Sequence, residues 1–134
     1  MTVNDCKIIE LPKFLDARGN LSFVERKNHI PFEIKRIYYL YMVPEVARGA
    51  HAHKALQQLL IATSGSVEVI MDDGTNKKSF LLDKPWKGLL IPPGLWRDLE
   101  NFSGGAVLMC LASEKYEVSD YIRDYNEFLK YKQL

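Results

Sequence analysis

Over most of this chain apolar residues recur with a period of two rather than three to four, which limits it to an all-β fold with one half-buried face per strand. The run at 34–43 (IKRIYYLYMV) is rich in β-branched and aromatic residues, as strands are. Shorter runs follow at 57–63, 66–71, 78–82, 88–91 and 106–112, and the stretches 6–11 and 20–25 add two near the N-terminus. Turn chemistry separates them: Thr63-Ser64-Gly65, Asp72-Asp73-Gly74, Pro92-Pro93-Gly94 and Ser103-Gly104-Gly105. About eight short strands with regular punctuation predict a sandwich or barrel. Only the tail has helical spacing: Tyr121, Tyr125, Phe128, Leu129 and Lys132 predict a helix within 119–132, packed on the outside.

With 134 residues, the expected organisation is one domain over 1–134, large enough for a single core. Eighteen Lys and Arg against seventeen Asp and Glu give a net charge of +1, so neither nucleic acid nor an anionic membrane is an expected partner, and any basic site must be local. Residues 1–12 carry Asp5, Lys7 and Glu10 and hold no apolar signal core, and no apolar run is long enough to span a bilayer. Cys6 and Cys110 are too few for a disulfide framework, and Cys110 reads as a small core residue. The expected location is the cytoplasm.

The chemistry concentrates in Arg48-Gly-Ala-His51-Ala-His53-Lys54. Two histidines at i and i+2 of a strand share a face, and in a barrel that face can be the interior. His51-Ala-His53, four residues, Gln58, six residues, Gly65 is similar in spacing to the first motif of the cupin superfamily. Pro92-Pro93-Gly94, two residues, Arg97, three residues, Asn101 is similar to the second. The resemblance implies a cupin, or double-stranded β-helix (jelly-roll) barrel, with a short C-terminal helix. At two metal-ligand positions of those motifs, however, this chain has Gln58 in place of glutamate and Arg97 in place of histidine.

A divalent metal is usually held by at least three protein ligands, and a guanidinium offers no lone pair and repels a dication. The expectation is therefore a site with no metal and no cofactor, in which Arg97 supplies a fixed positive charge facing a developing oxyanion. Histidine bases beside a fixed cation suit proton transfer next to a carbonyl, because the pKa of histidine lies near neutrality.

Further blocks extend the resemblance along nearly the whole chain: Asp16-Ala-Arg18-Gly19-Asn-Leu21, residues 30–39, Arg48–Lys54, Pro93-Gly94-Leu-Trp96-Arg97 and Asp120-Tyr121-Ile122-Arg123. They resemble the sugar 3,4-ketoisomerases of the cupin superfamily, which act on dTDP-4-keto-6-deoxyglucose. Residues 14–19, with Glu25, are also similar to the nucleotide-contacting strand of the dTDP-sugar 3,5-epimerases. The resemblance implies a metal-independent isomerase that moves a keto group from C4 to C3 through an enediol, in deoxy-amino sugar synthesis for a lipopolysaccharide or S-layer glycan. It implies His51 as the base, with His53 assisting in relay or orientation. Tyr38 would donate to the substrate carbonyl and Arg97 would hold substrate oxygens. Arg18 would meet the diphosphate, with Glu25, Arg48, Lys54, Gln58 and Tyr116 as further substrate contacts. Strand alternation puts Arg36, Tyr38 and Leu40 on one face, and Trp96 away from Arg97 in packing. Tyr116 and Asp120 would close one end of the pocket. His29 reads as a solvated loop residue, and Asp72 and Asp73 as a hairpin turn. The implied assembly is a homodimer with exchanged N-terminal strands. A dTDP-sugar epimerase and a non-catalytic sugar-nucleotide-binding module are the alternatives.

Overall fold

The computed structural model describes residues 1–44 and 48–133. A 3-10 turn at Val3–Asp5 leads into β1 (Lys7–Glu10), the hairpin β2 (Lys13–Asp16) and β3 (Gly19–Ser22), and β4 (Arg36–Leu40). There follow β5 (Arg48–His53), β6 (Gln58–Ser64), β7 (Val67–Asp72), β8 (Lys77–Leu82), β9 (Lys87–Ile91), β10 (Trp96–Glu100) and β11 (Val107–Ala112). A second 3-10 turn, Val118–Asp120, precedes β12 (Tyr121–Ile122) and α1 (Tyr125–Tyr131).

The strands form two antiparallel five-stranded sheets, ordered β1-β9-β6-β11-β4 and β12-β5-β10-β7-β8, with β2-β3 as a separate hairpin. The expected double-sheet, jelly-roll architecture is what forms. Strand alternation explains how the faces are filled. Along β6, Leu60 and Ala62 enter the core between the sheets, whereas Leu59 and Ile61 lie in a second cluster with Leu11, Ile30, Phe32 and Leu111. Both faces of β6 are thus covered, and its apolar run is nearly continuous rather than alternating. Val69, Met71 and Leu99 complete the core from the other sheet.

A third cluster seats the tail. Phe128 is fully buried against Ala52, Trp96 and Ile122, so Trp96 faces packing as its alternation with Arg97 predicts. The helix itself is shorter than the 119–132 expected. Residues 121–122 instead pair with β5, Tyr121 opposite His53 and Ile122 opposite Ala52. The unpaired edge of β5 outcompetes local helical spacing here. The helix starts where Asp124 caps it, its side chain accepting from Asn126 N. Asp124-x-x-Glu127 is a readable helix-start signal in the sequence.

Candidate active site

Five strands bring the central side chains together. Tyr38 on β4 sits opposite Cys110 on β11, which sits opposite Leu60 on β6. From the facing sheet, Arg97 on β10 is paired in register with His51 on β5. These residues line a cavity of about 270 Å³ together with Arg48, Gln58, Tyr121 and Arg123.

A β-bulge shapes the histidine strand. The register shifts between Arg97 and Asp98, leaving Ala50 at φ +52° as the extra residue on β5. Gly49, at φ +88°, has the backbone of β10 so close that a Cβ would lie 3.1 Å from the Arg97 carbonyl oxygen. The Gly49 carbonyl in turn accepts from His51 Nδ1 at 2.9 Å. A carbonyl only accepts, so the neutral imidazole carries its proton on Nδ1 and Nε2 keeps a bare lone pair.

His53 is fixed in the same tautomer by a different partner. Its Nδ1 lies 2.9 Å from Asp120 Oδ2, and its buried Nε2 has no partner among the described residues. The two rings meet edge to face with centroids 4.9 Å apart. Burial, then the Arg97 charge, lowers the pKa of His51 from 6.5 to about 4. The same two causes, followed by His51, lower His53 to about 3. Both are neutral bases at neutral pH.

Arg97 is 2% exposed. It donates to Gln58 Oε1 through Nη1 and to the Leu95 carbonyl through Nη2 at 3.2 Å. Gln58 Nε2 then donates to the Tyr38 hydroxyl at 2.5 Å. Guanidinium, amide and phenol thus form one directed chain, each donor polarised by the one before it. Burial pushes the Tyr38 phenol up, so it stays protonated, with the Cys110 thiol beside its hydroxyl.

The donor set does not fit a divalent metal. Among the described residues no group of three or more His, Cys, Asp or Glu is arranged to hold one. The position facing the two histidines is filled by a guanidinium already bonded to Gln58.

Of the sequence-derived site residues, the structure brings together His51, Tyr38, Arg97, Arg48 and Gln58. His53 lies fully buried behind His51 rather than on the cavity wall. Lys54 and Tyr116 line a separate outer groove of about 650 Å³. Arg18 is on the β2–β3 hairpin, paired with Asp16 and almost fully exposed, and Glu25 follows that hairpin, also exposed. Neither is on the cavity. His29 is half-buried rather than solvated, accepting from Glu25 N at 2.9 Å against the Phe23 ring. Asp72 and Asp73 hold the ends of the chain, accepting from Tyr125 and from Val3 N.

Tyr121 and Arg123 were not assigned to the site from the sequence, because 119–132 reads as helix. Read as a strand, Asp120-Tyr-Ile-Arg123 places Tyr121 and Arg123 on one face, as both occur on the cavity wall. With Arg48 and Arg97 they give a wall that, among the described residues, holds three arginines and no carboxylate.

Comparison with known proteins agrees with this geometry. The chain is 44% identical over 126 residues to the TDP-4-oxo-6-deoxy-alpha-D-glucose-3,4-oxoisomerase of Aneurinibacillus thermoaerophilus, covering 93% of this chain and 91% of that one. A crystal structure of a 3,4-ketoisomerase from Helicobacter canadensis superposes with a TM-score of 0.94 at 48% identity, over 96% and 98% of the two chains. A histidine-to-asparagine variant of the 3,4-ketoisomerase QdtA from Thermoanaerobacterium thermosaccharolyticum, in complex with TDP-4-keto-6-deoxyglucose, superposes with a TM-score of 0.95 at 38% identity, over 99% and 96%. Residues 4–133 match the family described as FdtA, WxcM-like, C-terminal, and the chain belongs to that family.

Proposed function

We propose that this protein is a sugar-nucleotide 3,4-ketoisomerase that moves the keto group of dTDP-4-keto-6-deoxy-D-glucose from C4 to C3. The carrying observation is the pairing of a bare His51 Nε2 with the Arg97–Gln58–Tyr38 donor chain across one cavity. His51 Nε2 takes the proton from C3, and the C–H electron pair becomes the C3=C4 double bond. The former C4 carbonyl oxygen takes the negative charge, which the Tyr38 O–H and the Arg97 guanidinium stabilise. The O3 proton passes to O4 and His51 returns a proton to C4, which leaves the ketone at C3 and a hydroxyl at C4. No step requires a metal ion or cofactor.

Arg48 and Arg123 suit the anionic part of such a substrate, since guanidinium groups bind phosphate oxygens in pairs. Arg18 and Glu25 reach a substrate only from a second copy. The hairpin carrying Arg18 pairs with no other strand among the described residues and exposes Phe14, Leu15 and Leu21, which supports a homodimer with exchanged N-terminal segments. The free, buried thiols of Cys6 and Cys110 accord with a reducing cytoplasm.

The test is proton NMR of dTDP-4-keto-6-deoxyglucose with chelator-treated protein in heavy water. A 3-keto product is expected. A ketone remaining at C4 while deuterium enters C3 or C5 would instead identify an epimerase. Nucleotide binding with an unchanged spectrum would make the protein a binding module.

A further inference from the structure

His53 is the histidine that the cavity does not reach. It is 0% exposed, its Nε2 has no partner among the described residues, and its ring edge meets His51 with centroids 4.9 Å apart. On its other side it touches one carboxylate. Asp120 Oδ2 lies 2.9 Å from His53 Nδ1, while Asp120 Oδ1 accepts from Ala55 N at 2.7 Å. The Asp120 carbonyl accepts from Lys54 N at 3.0 Å, so backbone and side chain are both tied down.

Asp120 also has an outer side. Its side chain is 13% exposed and lines the groove that contains Lys54, Lys115 and Tyr116. That groove shares no lining residue with the cavity of His51 and Arg97. Asp120 and His53 therefore stand between two separate spaces, the cavity of His51 that holds the reacting carbon and the outer groove. The Asp120–His53 link is hydrogen-bonded, whereas His53 Nε2 has no hydrogen-bond partner among the described residues, so the proton step from His51 needs the two rings to close on each other.

We propose that Asp120 is a positioning residue that fixes His53 as the Nδ1–H tautomer beside His51 and links the histidine pair to water in the outer groove. The inference rests on the ketoisomerase reading. After His51 takes the C3 proton, His53 Nε2 accepts a proton from His51. His53 Nδ1 gives up its own proton to the Asp120 carboxylate, and Asp120 releases it to water. The reverse sequence resets the pair, and the net change is one proton exchanged with solvent. The charged and titratable groups facing His53 are Asp120 from the 3-10 turn, His51 from its own strand, Arg97 from β10 and Tyr121 from β12. Arg97 and a protonated His51 both oppose charge on His53, whereas Asp120 favours it. The carboxylate thus makes the intermediate state accessible.

Without this link, the proton on His51 can exchange only through the substrate-filled cavity, and most of it returns to the same substrate molecule. The test uses substrate deuterated at C3 in light water. The wild-type product should have lost most of the label. Asp120→Asn keeps a hydrogen-bond acceptor but cannot take up a proton. It should lower kcat about 10–100-fold with KM within about twofold, and retain the label at C4. Asp120→Glu should restore washout. Wild-type kcat and label loss in Asp120→Asn would overturn the relay. A readout independent of turnover is nitrogen-15 NMR of the ligand-free protein. His53 should be the Nδ1–H tautomer in the wild type and acquire the Nε2–H tautomer in Asp120→Ala. An unchanged tautomer in that variant would overturn the positioning role. Wild-type protein that shows this tautomer dependence but no 3-keto product would refute the ketoisomerase reading and leave the role of Asp120 standing.

Discussion

Arg97 governs the electrostatics of the site. One buried guanidinium depresses both histidine pKa values after burial has begun the shift, and it heads the donor chain that ends at Tyr38. A base with a free-enzyme pKa of about 4 is already neutral well below physiological pH. The acid limb of kcat/KM against pH should therefore lie near pH 4 rather than 6.5, and a limb at 6.5 would show that the enclosed environment is not felt. His51→Asn should lower kcat by about 10²–10⁴-fold with folding intact, and a near-normal rate would remove His51 from the role of base. Tyr38→Phe deletes the last donor of the chain and should cost about 10–100-fold in kcat with little change in KM. Arg97→Lys keeps a charge but cannot reproduce the forked contacts to Gln58 and Leu95, so full retention of activity would argue against bidentate geometry.

At the scale of elements, the decisive piece is the short strand β12. Two residues paired to β5 place Tyr121 against His53, centroids 4.4 Å apart, and bring Arg123 to the cavity. The 3-10 turn before it delivers Asp120. The helix after it is a clamp: Phe128 packs on Trp96 at 5.7 Å and is fully buried. Phe128→Ala should cost about 3–5 kcal/mol in denaturant unfolding. Because β12 and α1 hold the histidine strand, the variant should lose kcat at temperatures where bulk secondary structure is still intact. Coincident loss of activity and β-sheet signal would mean that this end does not open separately.

For the whole molecule, the buried histidines couple stability to pH. Unfolded histidine titrates at 6.5, whereas His51 and His53 do so at about 4 and about 3. Between those values the unfolded chain binds more protons, so stability is complete above pH 6.5 and is lost as pH falls toward 3–4, by on the order of a few kcal/mol in total. Tm measured from pH 7 down to 4 should fall, and His53→Asn should flatten the slope. The exposed hairpin belongs to this scale as well. Leu21→Asp should shift the protein toward monomer in sedimentation, and Arg18→Ala should raise KM, since the cavity of one copy holds neither residue. A monomeric wild type with full activity would count against exchange.

Much of this protein was legible in the chain alone. Strand-like runs such as 34–43 and the nearly continuous apolar 57–63, with the turn residues between runs, determined an all-β sandwich or barrel. Alternation also determined that Tyr38 and Tyr39 take opposite faces, the family resemblance choosing Tyr38 for the pocket, and that Trp96 turns away from Arg97. Strand alternation put His51 and His53 on one face, and the resemblance of the spacing to the cupin motifs implied that Gln58 and Arg97 meet them. What only the tertiary structure decided depends on contacts distant in sequence. The unpaired edge of β5 turned 121–122 into a strand against its own helical spacing. Burial placed His53 behind His51, and Gln58 was made a bridge from Arg97 to Tyr38. Lys54 and Tyr116 ended in a different groove from the histidine beside them. A strand's sequence tells which way a side chain points, but what it meets there depends on residues far along the chain, as His53 and Asp120, 67 positions apart, illustrate.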